Sequence, residues 1–362
     1  MYTAEFDYDL PEERIAQEPL AERDAARLLV DRGPGAPPDH AVVRDLPDLL
    51  EPGDLLVVNT TRVLPARLML RRPTGGSAEV LLLERLEDAA AVADAGAGST
   101  TERWTALVRP SRKMPTGTTL RPGAGDDDLV IVVRDDLGEG QRIVDVTTRG
   151  PLLDALDRHG QMPLPPYITA PLGERERYQT VYAERPGSAA APTAGLHLTP
   201  AVLARCEAQG VVRADVELVV GLGTFRPISA DRVEEHVMHE ETYRVPEATI
   251  AACEATHAAG GSVVAVGTTS VRALESAAAT GRLEGRTDLF IHRPYDWQLV
   301  DRLLTNFHLP RSSLLVMIDA FVGPRWKDLY VTALAEQYRF LSFGDCMLLT
   351  GCLLYTSPSP RD

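Results

Sequence analysis

Gly260-Gly-Ser-Val-Val-Ala-Val-Gly-Thr-Thr-Ser-Val-Arg-Ala-Leu-Glu275 is the stretch from which the fold is read. A glycine pair closes what precedes it, and Ser262-Val-Val-Ala-Val266 is short, apolar and rich in β-branched residues. An Ala-rich run over 270–279 then ends at Gly281. A buried strand feeding a helix through a Gly-Thr-Thr-Ser turn is the unit of an α/β layer with parallel or mixed strands. Working outward, 247–259 reads as a helix closed by the same glycine pair, and 211–220 as a strand. A helix over 200–209 has Thr199 as N-cap, Pro200 at its first position and Gly210 as its stop. Residues 151–158 form a further helix, with Pro151 near its start.

Between 62 and 148 the pattern changes. Short β-type runs at 78–84, 104–109, 129–134 and 142–147 follow an earlier one at 54–59. Turn-rich stretches at 33–39, 88–101 and 122–128 read as loops, and no convincing helix lies between Thr61 and Arg149. Short strands at turn-length spacing predict a small antiparallel barrel or sandwich. The expected architecture is an α/β body, a mixed sheet with flanking helices built from 1–61 and 149–350. A small antiparallel β-barrel is inserted at 62–148. Residues 351–362 show neither strand nor helix periodicity and are read as a disordered or artefactual tail.

Of the 362 residues, 44% are hydrophobic and 25% charged, which excludes an intrinsically disordered chain. No apolar run approaches the roughly 20 residues needed to span a bilayer, and 1–10 is acidic rather than basic-then-apolar. A cytoplasmic protein without membrane contact is expected. Cys206, Cys253, Cys346 and Cys352 are far apart, so they signal neither a zinc site nor a disulfide framework. The net charge of −15 argues against a general nucleic-acid binder. Yet 55–78 carries Arg62, Arg67, Arg71 and Arg72, and 104–125 carries Arg109, Arg112, Lys113 and Arg121, both without an acid. Either these segments dock a polyanion through one face or they are charged strand edges.

Four stretches carry chemistry beyond what their secondary structure needs: 191–200, 220–227, 266–275 and 304–310. Each sets Thr, His, Asn or Arg beside Gly or Pro at the edge of an apolar run, the composition of ligand-handling loops. Backbone N–H groups and hydroxyls of Gly267, Thr268, Thr269 and Ser270 at a helix start make an anion site, with Arg272 and Glu275 on the first turns. Val220-Gly-Leu-Gly-Thr-Phe225 lacks the third glycine of a dinucleotide fingerprint and reads as a Gly-lined wall for an adenosine or sugar. In Glu234-Glu-His-Val-Met-His-Glu-Glu241, His236, His239 and Glu240 share a face if the segment is helical. A metal site, acid–base chemistry and a solvated charged face all remain open there. His197 and His308 each sit beside a Gly or Pro turn, and Phe225 and Phe307 offer rings to stack on a base.

At this point the residues resemble a known family. Phe6-Asp-Tyr-Asp-Leu-Pro11, Ile15-Ala-Gln-Glu-Pro19, Arg62-Val-Leu-Pro-Ala-Arg67, Arg177-Tyr-Gln-Thr-Val-Tyr182, Ala191-Pro-Thr-Ala-Gly-Leu-His197, Gly221-Leu-Gly-Thr-Phe225 and Thr305-Asn-Phe-His-Leu-Pro310 look like the S-adenosylmethionine:tRNA ribosyltransferase-isomerases of queuosine biosynthesis. The resemblance is collinear from about Phe6 to Leu349. It implies a two-domain enzyme that transfers and isomerises the ribosyl part of S-adenosylmethionine onto the aminomethyl-deazaguanine at the tRNA wobble position. The product is epoxyqueuosine, with adenine and methionine released. S-adenosylmethionine is then a consumed co-substrate, no other cofactor or metal is required, and tRNA carrying the precursor base is the partner of a monomer.

Carried onto this chain, the resemblance makes His197 and His239 candidate acid–base groups, with Glu235 tuning them. Gly267, Thr268, Thr269 and Arg272 would hold carboxylate or ribose, Gly221 and Gly223 would wall the adenosine, and Asn306 and His308 would orient the base. Arg62, Arg67, Arg109 and Lys113 would meet tRNA phosphates. The chain departs from the family pattern at Thr60, where Asp is usual, at Leu198, where an aromatic residue is usual, and at Val219, where His is usual. The competing readings are an S-adenosylmethionine-dependent tRNA methyltransferase and a non-catalytic tRNA-binding protein.

Overall fold

The computed structural model describes residues 1–86, 98–221 and 227–351. The chain separates into two compact units. Met1–Thr61, Pro166–Glu184 and the chain from Pro192 onward form the first; Arg62–Pro165 and Arg185–Ala191 form the second. The N-terminal part of the first unit supplies β1 (Arg27–Val30), β2 (Asp39–Val42), the short helix α1 (Leu46–Leu49) and β3 (Leu55–Asn59). All five residues of β3 are buried. The uninterrupted Leu-Leu-Val-Val run is what a strand flanked on both edges and covered on both faces requires.

The second unit is antiparallel. After β4 (Thr61–Val63) come β5 (Arg67–Arg71), β6 (Ser77–Arg85), β7 (Ser99–Arg109), β8 (Thr119–Leu120), β9 (Leu129–Gly138) and β10 (Gln141–Arg149). Helix α2 (Leu152–His159) and β11 (Gly160–Gln161) follow, and β12 (Arg185–Ser188) pairs with β4. The seven-stranded order is β11-β5-β6-β7-β10-β9-β8. Leu68 and Leu70 on β5, and Leu129, Ile131 and Val133 on β9, are buried at alternate positions, so one face of the sheet is apolar. The sheet curls until Arg121, just past β8, pairs with Arg71 at the end of β5 through N–H···O bonds of 2.7 and 3.2 Å. Residues 149–165, expected with the α/β body, group with this unit, where Gly160 and Gln161 pair with Leu68 and Arg67.

From α3 onward the chain builds the mixed layer: α3 (Pro200–Ala208), β13 (Val212–Leu218), β14 (Glu241–Arg244), α4 (Glu247–Ala258), β15 (Val263–Val266) and α5 (Gly267–Thr280). It ends with β16 (Glu284–Thr287), β17 (Arg302–Asn306), α6 (Ser313–Val322), α7 (Trp326–Ala335) and β18 (Cys346–Thr350). Thr199 caps α3, its Oγ1 accepting the Val202 N–H at 3.2 Å, and Gly281 ends α5 in the left-handed conformation. The nine-stranded order is β16-β14-β13-β3-β15-β17-β18-β1-β2. Its centre, β13-β3-β15-β17, is parallel; β14 pairs antiparallel with both β13 and β16, β18 antiparallel with β17 but parallel with β1, and β2 antiparallel with β1. Leu28, Val30, Leu56, Val58, Val264, Val266, Leu304 and Leu348 form the core beneath Leu46, Val202 and Cys206. The sheet is therefore mixed and carries helices, as the strand–turn–helix reading requires.

Candidate active site

The site is built where β15 and β17 end. Gly267 has φ +84°, which turns the chain from β15 into α5. A Cβ on Gly267 would lie 3.6 Å from Cβ of Ala194 and 3.5 Å from Oγ1 of Thr269. The start of α5 thus lies against the 3-10 turn Thr193–His197. The end of β17 closes the same neighbourhood. Thr193 Oγ1 donates to Asn306 Oδ1 at 2.9 Å, and Asn306 Nδ2 lies 3.1 Å from His197 Nε2. Three of the four chemistry-bearing stretches are therefore in contact.

Tyr182 comes in beneath this turn. A Cβ on Gly195 would stand 1.9 Å from Tyr182 Oη and 3.0 Å from Thr180 Cγ2, so only glycine fits. Thr180 Oγ1, Tyr182 Oη and Thr269 Oγ1 are buried and have no hydrogen-bond partner among the described residues. A buried hydroxyl left unpaired costs about 1–3 kcal/mol, so three in one neighbourhood mark a place that a polar ligand would satisfy. Thr180 and Tyr182 belong to a family-like stretch to which sequence reading gave no role. The signal was present in their hydroxyls, but only the packing around Gly195 shows where they point.

His197 is buried, and its imidazole is pushed down to about 4. Burial is the main cause; the charges of Arg339 and Arg23 add to it, and a hydrogen bond with the Arg23 backbone opposes it. The ring is neutral at ordinary pH, and the Asn306 amide donor assigns Nε2 as the acceptor. His308 is also buried and is pushed down to about 3 by that burial. Its Nε2 lies 3.0 Å from Thr305 Oγ1, its N–H donates to Tyr330 Oη at 2.9 Å, and Tyr8 Oη donates to its carbonyl. With Phe307 packed on Tyr330 and Phe340, His308 anchors the β17 turn to an aromatic layer.

Arg272 and Glu275, the charged residues on α5, are both buried and both engaged. The Arg272 guanidinium donates to the Leu289 and Thr287 carbonyls at 3.2 and 3.3 Å and forms an ion pair with Glu241. The other Glu241 oxygen accepts the Gly221 N–H at 3.0 Å. Glu275 accepts N–H groups of Gln298, Leu299 and Val300 at 3.0 to 3.1 Å and the Tyr295 hydroxyl at 3.2 Å. Burial pushes its carboxyl upward, and those hydrogen bonds pull the other way. Gly223 and Phe225 lie outside the described residues.

The segment 234–241 is not helical. It makes one 3-10 turn, Val233–Glu235, and then runs extended into β14, so His236, His239 and Glu240 share no helix face. Glu235 and His239 are exposed, and among the described residues no hydrogen bond joins either to His197. His236 is half-buried and meets Phe290 edge to face at 5.2 Å; burial and the charge of His239 hold its imidazole below the usual range. Among the described residues no group of three or more His, Cys, Asp or Glu side chains is placed to hold a metal ion.

In the second unit, Arg109, Arg112 and Lys113 line a groove of about 760 Å³ with Met69, Ser77 and Glu79. Arg109 ends β7, and Arg112 and Lys113 lie on the 3-10 turn Ser111–Lys113. Arg67 pairs with Glu79 at 3.4 Å and lies beside the groove on β5; Arg62 is not part of its lining. A larger groove of about 830 Å³ in the first unit runs along α3 and the start of β13. Tyr182 lines it, but His197, Thr269 and Asn306 do not.

A family-level profile described as "Queuosine biosynthesis protein" matches residues 3–349. The chain belongs to that family. It is 51% identical to the S-adenosylmethionine:tRNA ribosyltransferase-isomerase of an Anaeromyxobacter species, covering 96% of this chain and 99% of the relative. It is 46% identical to the proteins of that name from Thermotoga maritima and a Nostoc species, with 96% of this chain covered and 100% and 91% of theirs. It is also similar to the crystal structure of the Thermotoga maritima S-adenosylmethionine tRNA ribosyltransferase. That match has 38% sequence identity and a TM-score of 0.53, covering 95% of this chain and 99% of the other. The chain is accordingly an enzyme of queuosine biosynthesis by family.

The three positions expected to depart from the family pattern have plain structural settings. Leu198 is wholly buried in the core with Val202 and Tyr182. Thr60 is buried at the end of β3, its N–H bonded to the Val216 carbonyl at 3.0 Å. Val219 donates its N–H to the Thr242 carbonyl at 2.9 Å and is held in the β13–β14 pairing.

Proposed function

We propose that this protein transfers and isomerises the ribosyl moiety of S-adenosylmethionine onto the aminomethyl-deazaguanine of tRNA, giving epoxyqueuosine with release of adenine and methionine. The observation that carries this reading is the junction of Ala194, Gly267 and Thr269 with the Thr193–Asn306–His197 chain. The Thr269 hydroxyl beside Gly267 and the neutral His197 imidazole on the adjoining turn support this reading. Family membership supplies the substrate class.

In this reading the N–H groups at the start of α5, with Thr268 and the unpaired Thr269 hydroxyl, take the methionine carboxylate or a ribose oxygen. Gly221 walls the adenosine. His197 acts through Nε2, the acceptor now facing Asn306, as the base for the acidic C–H beside the sulfonium; Asn306 keeps that nitrogen oriented. His239, with Glu235 near it in sequence, is the group assigned to protonate departing adenine. His308 supports the turn that carries Asn306. S-adenosylmethionine is consumed as a co-substrate, with no further cofactor.

The curled antiparallel unit is taken as a small barrel that presents Arg109 and Lys113 to tRNA phosphates, with Arg62 and Arg67 contributing beside it. The protein works as a cytoplasmic monomer. Among the described residues, no helix is long and apolar enough to cross a membrane. The test is to incubate the protein with S-adenosylmethionine and precursor tRNA and follow adenine, methionine and tRNA mass. Equal release of adenine and methionine with a matching mass gain is expected. Release of S-adenosylhomocysteine instead would establish methyl transfer, and tRNA binding without consumption of S-adenosylmethionine would overturn the enzymatic reading.

A further inference from the structure

We infer that Glu241 is a positioning residue for S-adenosylmethionine, fixing the Gly221 backbone to helix α5 through Arg272. The inference rests on the ligand placement proposed above. Glu241 is buried on β14, near one edge of the sheet, and its two oxygens face different elements. Oε2 pairs with Arg272 Nη1, and Oε1 accepts the Gly221 N–H at 3.0 Å. A Cβ built on Gly221 would itself lie 3.9 Å from that Oε1, so the carboxylate packs along the Gly221 backbone.

Arg272 lies one helical turn beyond Thr268 and Thr269 on the same α-helix. Two further N–H groups of Arg272 hold the Thr287 and Leu289 carbonyls, so both side chains of the pair are also held by other partners. The chain Gly221–Glu241–Arg272–α5 therefore ties the Gly221 backbone to the helix start that carries the orphaned Thr269 hydroxyl. Three of the five Arg272 N–H donors are engaged within the protein, which holds the guanidinium beside the helix start. A buried pair adds little net stability over apolar residues of similar volume, but it does fix geometry.

Two variants test this, each assayed below its melting midpoint. Glu241→Gln keeps an acceptor of the same size but removes the charge that holds Arg272. It is expected to raise KM for S-adenosylmethionine on the order of tenfold and leave KM for precursor tRNA unchanged. A purely structural pair would lower kcat through loss of folded protein, or move both KM values together; either result, or an unchanged KM for S-adenosylmethionine, overturns the inference. In the double variant Glu241→Leu/Arg272→Met, the expected result is a near-wild-type melting midpoint with KM for S-adenosylmethionine still raised. Recovery of both would overturn positioning. If the wild-type protein does not consume S-adenosylmethionine, the activity reading fails. Amide exchange at Gly221 then still decides the contact: it should quicken on the order of tenfold in the double variant, and unchanged exchange overturns it.

Discussion

Asn306 Nδ2 stands 3.1 Å from Nε2 of buried His197, and this contact fixes both the tautomer and the direction of the imidazole. The same amide group accepts from Thr193 Oγ1, so one side chain at the end of β17 sets the geometry of the whole 3-10 turn. Burial keeps His197 neutral, and the Asn306 amide adds no charge to oppose it; a carboxylate at this position would stabilise the protonated form.

Asn306→Asp should therefore raise the His197 pKa from about 4 toward neutrality and lower kcat on the order of tenfold, because a protonated Nε2 cannot act as a base. Imidazole NMR titration of the variant checks the first effect and turnover the second. A variant that titrates higher but turns over normally removes His197 from base duty.

Thr269→Val separates a ligand-facing hydroxyl from a structural one. The Oγ1 is buried without a partner among the described residues, so replacing it with a methyl should leave thermal stability unchanged or raise it by about 1 kcal/mol. KM for S-adenosylmethionine should rise roughly tenfold, by about 1.4 kcal/mol of lost binding. Loss of stability with unchanged KM would mean the hydroxyl serves the fold.

Gly195→Ala should be strongly destabilising, since the new Cβ would meet Tyr182 Oη at 1.9 Å. Tyr182→Phe removes that oxygen but leaves the ring carbon 3.0 Å away, so the double variant should recover only part of the loss. Denaturant melts of the four proteins measure the coupling. Strict additivity would show that the turn relaxes away from the ring.

The pH dependence of stability follows from the two buried histidines. An unfolded histidine titrates near 6.5, and in the folded protein His197 and His308 titrate near 4 and 3. The unfolded chain thus binds more protons. Stability from this source is complete above about pH 6.5 and is lost as the pH falls toward 4, by about 2 kcal/mol for each ring between pH 7 and 5. Urea melts across that range check the sign, and His308→Gln should flatten the curve without moving the midpoint at pH 5 as far as wild type does.

Arg109→Ala and Lys113→Ala address the groove of the second unit. Each should raise KM for tRNA, leave KM for S-adenosylmethionine alone, and reduce the slope of log affinity against log salt by about 1. An unchanged slope would show that the groove does not meet phosphates.

Much of this fold was legible locally. Thr199 and Pro200 announced α3, Gly281 stopped α5, and the apolar runs at 54–59 and 262–266 became the central parallel strands. The strand β1 and the strands β17 and β18 were not read, because short buried runs in parallel or mixed sheets carry no alternation to separate them from other apolar segments. Residues 234–241 misled for the opposite reason. Their charges satisfied a helical spacing, but the chain there passes from one 3-10 turn into β14, a strand paired on both sides. Within the site, Gly267, Thr269, His197 and Asn306 were named from their residue types and meet in space. Arg272 was named too, but no spacing reveals that a guanidinium is already held by Glu241 and two carbonyls.

The place of β18 has a consequence for biosynthesis. Leu28 pairs with Cys346, and β18 lies between β17 and β1, so β1 is synthesised long before the strand that fills the place beside it. Until Cys346–Thr350 leaves the ribosome, the β17 and β1 edges facing it have no strand partner, and the apolar faces around Leu28 and Leu304 lack Leu348. The nascent chain therefore carries an unclosed seam from the synthesis of β1 to that of β18, the condition under which pairing between neighbouring chains competes with folding.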